Sequence, residues 1–521
     1  MPARKNFPAE LSRRNLAHLA MGLLLIGLLW RTVRYFLQFP IWGDEALLAT
    51  NFAWLDCGEL THRLENCQVA PLLFLWGERA AFCSMGAGML SMRLLPFLAG
   101  IGSLFLYWRL AKLMLGPRAL LFATGFLAVA IWPVSMTALL KPYSLDLFVS
   151  LALLLLAVKW LKNTDRTSWL AWLTVVTPVA LLASYPSVFV AASASMAMAF
   201  PAWRKGRKTR LWFAGFNVAL LVGFILASRV AAGQLSTPAG AVNTQAGMST
   251  YWAEGFPPSS PFAFFWWFIL AMSGQMTAYP AGASNGGSIV TVLLCVAGVR
   301  CWIRRGRWDW LVLLTGPVFL GVVAAALHRY PFGTSCRLNQ HIAPAVCILA
   351  GLGLAAVIGK VCQKSAEFGK WSLIISSMFA LLGLSGIFVD VLHPYRAEGC
   401  VWMQTAMKTM LSEVPAGEPI VICASTDPQT TEIVFTWYWT NVKRRITWDY
   451  SLPAKHWDDK RLCGFYQGLA GADIACKRLG DALHLQDPAW HLARRIPYEY
   501  IPKSRREAGQ RCELFFFERS T

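Results

Sequence analysis

The feature that most constrains this chain is a succession of long apolar runs separated by short turns in which Lys and Arg collect. Runs able to cross about 30 Å of hydrocarbon lie at 16–38, 91–113, 118–138, 143–161, 211–231, 287–303, 308–328, 336–358 and 371–392. Residues 168–203 divide into two shorter spans folded back at Ser184-Tyr185-Pro186, which makes about eleven crossings. Two further stretches, 68–86 with Glu78 and Arg79 inside it and 261–282 rich in Phe and Trp, fit either crossings or helices lying in the interface. The expected fold class is mainly α, a polytopic transmembrane bundle of about 11–13 helices.

Charge sets the orientation. A formal net charge of +20 would suggest nucleic acid in a soluble protein, but only 15% of the residues are charged and 56% are hydrophobic. The basic residues fall between apolar runs, where they fix topology, and nucleic acid is not an expected partner. The amino terminus carries Arg4, Lys5, Arg13 and Arg14 ahead of the run from Leu16, with no small-residue cleavage site after it, so it is expected to be a retained signal anchor. Arg109, Lys112 and Arg118; Lys159 and Lys162; Arg204 to Arg210; Arg300 to Arg307; and Lys360, Lys364 and Lys370 occupy alternate loops. All are cytoplasmic if 68–86 and 261–282 are interfacial. The outer loops are then 39–67, with Arg63 and five acids, and 231–260, with no base. The chain is expected in an inner or plasma membrane, with its amino terminus cytoplasmic and its tail outside.

The tail has ordinary charge density and a mixed pattern: a strand at Ile420–Cys423, a helix near Pro428–Asn441, a strand at Ile446–Tyr450, a helix near Leu462–Leu483 and a strand at Leu514–Phe517. Two domains are expected, a transmembrane one over 1–393 and a small extracytoplasmic α/β one over 394–521. No internal repeat is present, so an inverted-repeat transporter has no support in the sequence. None of the 13 cysteines shows the CxxC spacing of structural zinc sites. Cys57 with Cys67, and Cys400, Cys423, Cys463, Cys476 and Cys512, lie where either disulfides or free thiols fit.

Three places at the outer boundary carry chemistry. Asp44 and Glu45 follow the first span directly; acids at membrane depth cost desolvation energy and mark function by default, although Asp44 would also cap the helix after it. A carboxylate there suits a general base on an acceptor hydroxyl or a ligand for a divalent ion. Lys141, Tyr143 and Asp146 lie at a second boundary, where Lys141 could equally be a snorkelling anchor and Asp146 needs a partner. Arg329 and Arg337 flank a third. Guanidinium groups are unusual on the outer face and call for an anion, either a phosphate or the acids themselves. His328 and His341 have no ligand spacing and are expected to be packing residues.

These residues resemble the GT-C class of integral membrane glycosyltransferases, in the clan of protein O-mannosyltransferases and bacterial aminoarabinose-lipid A transferases. The family's Asp-Glu pair after the first span looks like Asp44-Glu45. Its Pro-Pro-Leu helix and Arg-Leu-Pro span are similar to Gln68-Val69-Ala70-Pro71-Leu72 and Met92-Arg93-Leu94-Leu95-Pro96, and its Gly-Arg-Arg-like turn to Leu115-Gly116-Pro117-Arg118. Its Arg-Pro-Tyr…Asp element looks like Lys141-Pro142-Tyr143-Ser144-Leu145-Asp146, and Tyr330-Pro331-Phe332-Gly333 to Arg337 resembles loops placed near the carrier phosphate. Ala70 for Pro and Lys141 for Arg depart from the pattern, and the tail lacks the repeat domain of eukaryotic mannosyltransferases.

The resemblance implies an inverting transfer from a polyprenyl-phosphate sugar to a lipid, polysaccharide or protein. Asp44 would be the base, and Glu45 and Gln68 would position the reactants. Arg93, Lys141, Tyr143, Asp146, Arg329 and Arg337 would bind substrate. A divalent ion, if one takes part, would sit at Asp44 or Asp146. The competing classes are a flippase of lipid-linked intermediates, in which translocation survives loss of Asp44, and a non-catalytic assembly protein, in which Asp44 only caps a helix.

Overall fold

The computed structural model describes residues 12–41, 43–65, 68–86, 88–236, 249–362, 365–392, 412–413, 420–422, 446–448, 460–468, 472–499 and 511–520. The chain divides into two compact units, one of Met1–Leu37, Leu55–Ser84 and Leu90–Leu392, the other of Gln38–Trp54, Met85–Met89 and His393–Thr521. The principal helices, in chain order, are α1 (Arg13–Phe36), α2 (Gly43–Trp54), α3 (Leu72–Met85), α4 (Met89–Met92), α5 (Leu94–Met114), α6 (Pro117–Ala128), α7 (Ile131–Met136) and α8 (Tyr143–Lys162). They continue with α9 (Ser168–Ala183), α10 (Ser187–Trp203), α11 (Arg207–Gln234), α12 (Pro261–Ser273), α13 (Ile289–Arg304), α14 (Trp308–Ala326), α15 (Ala343–Val361) and α16 (Ser365–Leu392). The tail adds β1 (Ile420–Ile422), β2 (Ile446–Trp448), β3 (Arg461–Gly468), α17 (Ala472–Gln486), β4 (Trp490–Glu499) and β5 (Arg511–Arg519).

Among the described residues seven helices are long and apolar enough to cross a membrane: α1, α5, α8, α11, α14, α15 with the turn before it, and α16. The chain is a multi-pass membrane protein. The shorter α9 and α10 fold back at Ser184-Tyr185-Pro186 as the sequence predicts. The run at 118–138 breaks instead, ending α6 at Ala128 and restarting α7 at Ile131. Pro133 explains the break, because in a continuous helix its ring would strike the carbonyl of Val129. With 14 and 13 residues, α3 and α12 are shorter than the roughly 20 residues a crossing needs.

The first unit is a helical bundle centred on α8 and α15, whose residues are mostly buried. Around α8 pack α5, α9 and α10, and around α15 pack α6 and α13. Small residues permit the approach of α13 and α15, since a Cβ on Gly298 or Gly353 would collide with the other helix's backbone; close backbone contact of this kind replaces the hydrophobic drive that lipid does not supply. Outward residues such as Val218, Leu221 and Phe224 on α11 remain exposed and apolar.

The basic turns gather at one end of this bundle. Lys162 Nζ at the end of α8 donates to Leu113 O near the end of α5 at 2.7 Å, Lys205 pairs with Asp165 at 2.7 Å, and Arg118 stacks 4.3 Å from the Phe368 ring of α16. The opposite ends of α1 and α16 meet elsewhere: Arg34 Nη1 lies 2.6 Å from Asp390 Oδ1, and Trp30 Nε1 donates to Asp390 Oδ2 at 2.7 Å.

In the second unit α2 begins with Asp44 and Glu45 in its first turn, which suits the positive end of its dipole. The tail forms a five-stranded sheet of order β2-β1-β3-β5-β4, with β1 parallel to β2 and β3, and β5 antiparallel to β3 and β4. Its core joins Val421, Leu462, Leu479, Leu483, Phe515 and Phe517. Here the structure corrects the sequence reading: 462–483 is not one helix but the strand β3 followed by α17, and β4 has no counterpart among the expected elements. A central strand buried on both faces, as Leu462–Tyr466 is, shows no alternation and cannot be told from a helix by period. β4 is an edge strand whose Arg494, Arg495 and Pro497 disguise it. The helix expected near 428–441 lies outside the described residues. Cys57, Cys463 and Cys476 are free thiols.

Candidate functional site in the membrane unit

Lys141 stands in the turn that ends α7 and starts α8, its backbone N–H bonded to Leu139 O at 2.8 Å. Pro142 fixes the backbone ahead of α8, where a missing N–H costs nothing. The Lys141 side chain is only 6% exposed and donates through Nζ to Gln68 Oε1 at 3.0 Å. Two sequence candidates 73 residues apart are thereby joined.

One turn into α8, Asp146 is buried and lies close enough to Tyr330, in the loop between α14 and α15, for its charge to act there. Burial pushes the Tyr330 phenol well above its ordinary pKa, and the neighbouring Asp146 and Tyr143 push it further. Its hydroxyl donates to Leu338 O at 2.7 Å. The Tyr330 ring lies 5.6 Å from Phe189 at the start of α10 and 6.4 Å from His341. Buried His341 packs against both rings, and its two ring nitrogens have no hydrogen-bond partner among the described residues. His328 stacks on Phe256 at 4.9 Å.

Arg337 is half-buried, with its guanidinium 5.1 Å from the Trp252 ring centroid. Arg329, eight residues earlier, is exposed. Arg93 is buried immediately before α5. Glu45 is buried and Asp44 half-buried, both on α2 of the second unit. The structure therefore brings together Gln68 with Lys141, and Tyr143 and Asp146 with Tyr330; it leaves Arg329 at the surface. Asp44 and Asp146, the two carboxylates named for an ion, belong to different units, and no three His, Cys, Asp or Glu side chains gather for a metal among the described residues.

Three positions escaped the sequence reading. Tyr185, in the Ser-Tyr-Pro turn, donates to Ala70 O at 3.0 Å; Gln234 closes the last turn of α11 against the same segment; and Trp252 lies beneath Arg337. A lone polar residue at the end of an apolar span is the only signal Gln234 leaves, and it has no spacing to read.

No protein-family model matches the chain, and no curated protein matches it. Solved structures do. ArnT from Cupriavidus metallidurans bound to undecaprenyl phosphate is 12% identical and superposes over 96% of this chain and 97% of its own with a TM-score of 0.52. The chain has the GT-C fold. The apo state of the same ArnT aligns at 12% identity over 95% of this chain and 98% of its own, with a TM-score of 0.49. An Archaeoglobus fulgidus oligosaccharyltransferase in complex with Zn and sulfate aligns at 10% identity over 92% of this chain and 72% of its own, with a TM-score of 0.48.

Proposed function

We propose that this chain is a GT-C glycosyltransferase that moves a sugar from a polyprenyl-phosphate carrier to an acceptor at the outer face of the membrane. The observation that carries the reading is the buried Lys141 ammonium held by Gln68, beside the α8 turn that bears Tyr143 and Asp146. A cation withdrawn from water is costly to keep, and one kept at a membrane boundary is suited to an anionic head group. A lipid phosphate is such a group, and the ArnT that shares this fold was crystallised with one.

Asp44 takes the proton of the acceptor hydroxyl, whose oxygen attacks the anomeric carbon of the sugar. The bond from that carbon to the carrier-phosphate oxygen breaks, the phosphate leaves with the electron pair, and the anomeric configuration inverts. Lys141 and Arg337 take up the charge that develops on the phosphate. A divalent ion held at Asp44 or Asp146 would supply the same neutralisation. Glu45 and Gln68 position the reactants, while Arg93, Tyr143, Asp146 and Arg329 contact the donor. The orientation that goes with this reading is supported by α8, which starts just after Lys141 and ends at Lys162 among the basic turns. Basic turns mark the cytoplasmic side, so Lys141 faces outward, with the amino terminus cytoplasmic and the tail outside.

The test is transfer from undecaprenyl-phosphate-linked sugars by the purified chain in nanodiscs. Asp44→Asn should lower transfer by about 10²–10⁴-fold, the usual worth of a general base, with the melting temperature unchanged. A photoactivatable undecaprenyl phosphate should label the 68–71 or 330–337 segment. Labelling confined to other helices, together with an Asp44→Asn variant as active as the wild type, would end the reading.

A further inference from the structure

We infer that Gln234 is a positioning residue for the lipid-phosphate site, holding in place the segment that presents Gln68 to Lys141. The inference rests on the function proposed above. Gln234 is the last residue of α11 and is fully buried. Its Oε1 accepts from the Ala70 N–H at 3.1 Å and from the Tyr185 hydroxyl at 3.3 Å, and its Nε2 donates to Leu60 O at 3.1 Å. The one Tyr185 hydroxyl proton is shared between Gln234 Oε1 and the nearer Ala70 O at 3.0 Å.

Only an amide meets these demands. The side-chain oxygen faces the Ala70 N–H and the nitrogen faces the Leu60 carbonyl, so the orientation of the amide is fixed by its partners. A carboxylate would set an acceptor against Leu60 O, and an aliphatic side chain would leave the Ala70 N–H and Leu60 O without their partner. The residue before it reinforces the contact, because a Cβ on Gly233 would stand 2.6 Å from Thr61 O. On the other side of the loop, Trp76 of α3 donates through Nε1 to Cys57 O at 2.8 Å.

Cys57, Leu60 and Thr61 on one side and Ala70 on the other are therefore held between α3 and the end of α11. Ala70 is two residues from Gln68, whose Oε1 receives the Lys141 ammonium. Displacing the segment by a fraction of an ångström moves that acceptor, and the ammonium it directs, relative to a bound phosphate. Misplacement by about 1 Å at a distance from the chemistry can cost on the order of 100-fold.

Binding of undecaprenyl phosphate to the full chain in nanodiscs tests this without knowledge of the sugar. Gln234→Leu should weaken binding about tenfold in the wild-type background and less than twofold in a Gln68→Ala background, because two residues acting through one contact are not additive. Tyr185→Phe, read through the same cycle, serves if Gln234→Leu fails to fold. Equal losses in both backgrounds, which a purely structural role would give, or no loss in either, overturn the inference while leaving the proposed function intact. A wild-type chain that does not bind undecaprenyl phosphate overturns both.

Discussion

Lys141 and Gln68 meet across 3.0 Å although 73 residues separate them, and the lysine is almost wholly withdrawn from solvent. Replacing Lys141 alone removes the donor to Gln68 Oε1 and costs about 1 kcal/mol, the worth of one hydrogen bond. Lys141→Met is therefore expected to lower the melting temperature only slightly. Its affinity for undecaprenyl phosphate should fall by about 10–100-fold, corresponding to the loss of a charge-assisted hydrogen bond. A variant that melts several degrees lower and still binds the lipid would mean that Lys141 is a structural residue.

Glu78, on α3, is fully buried, and neither carboxylate oxygen has a hydrogen-bond partner among the described residues. Burial raises its pKa well above the ordinary 4.5. Between those two values the folded chain holds a proton that the unfolded chain has released, so stability falls as pH rises, by about 1.4 kcal/mol for each pH unit within the interval. Below pH 4.5 both states are protonated and the effect vanishes. Glu78→Gln, neutral in either state, should match the wild type at low pH and exceed its melting temperature increasingly as pH rises above the ordinary carboxyl value. A difference that stays constant with pH would rule out this assignment.

Arg34 and Asp390 tie the ends of α1 and α16, with side chains 4% and 9% exposed and Trp30 bonded to the same carboxylate. Removing one member leaves a buried charge uncompensated, which costs about 3–5 kcal/mol, whereas replacing both by apolar groups is often neutral. Asp390→Ala is expected to lower the detergent melting temperature markedly, and Arg34→Met combined with Asp390→Leu to recover most of the loss. If the double variant melts no higher than Asp390→Ala, the pair is not acting as a buried ion pair.

The membrane part of the fold was legible because lipid demands uninterrupted apolar runs, and α5, α8 and α11 all fall where those runs fall. The fold-back at Ser184-Tyr185-Pro186 was legible for the same reason. Where a local rule competed with apolarity, the run misled: Pro133 splits 118–138, and the doubly buried strand β3 passed for the start of a helix. In the site, Lys141 and Asp146 announced themselves as polar residues at an apolar boundary, whereas Gln68 was picked out only by the family resemblance. Their pairing was not legible, and Gln234 bonds to a backbone 164 residues away, a relation that only the packing of the end of α11 against Leu60 and Ala70 creates.

Arg337 offers a test that separates charge from shape. Its guanidinium lies over Trp252, and Tyr330, seven residues before it, donates to the Leu338 carbonyl beside it. Planar stacking and forked donation are properties of arginine that lysine does not share. If the group grips a phosphate in that orientation, Arg337→Lys should lose nearly as much affinity for undecaprenyl phosphate as Arg337→Ala, about tenfold in each case. Trp252→Leu should reproduce part of that loss, because it removes the surface on which the guanidinium rests. Tyr330→Phe should act through the same loop, withdrawing one hydrogen bond from Leu338 at a cost of about 1 kcal/mol. A point charge serving only to attract an anion would behave otherwise: lysine would restore binding, and the variants at Trp252 and Tyr330 would bind as the wild type does. Titrations of the four variants with undecaprenyl phosphate at fixed ionic strength distinguish the two cases, since exposed charges are screened by salt and an oriented, half-buried guanidinium much less so.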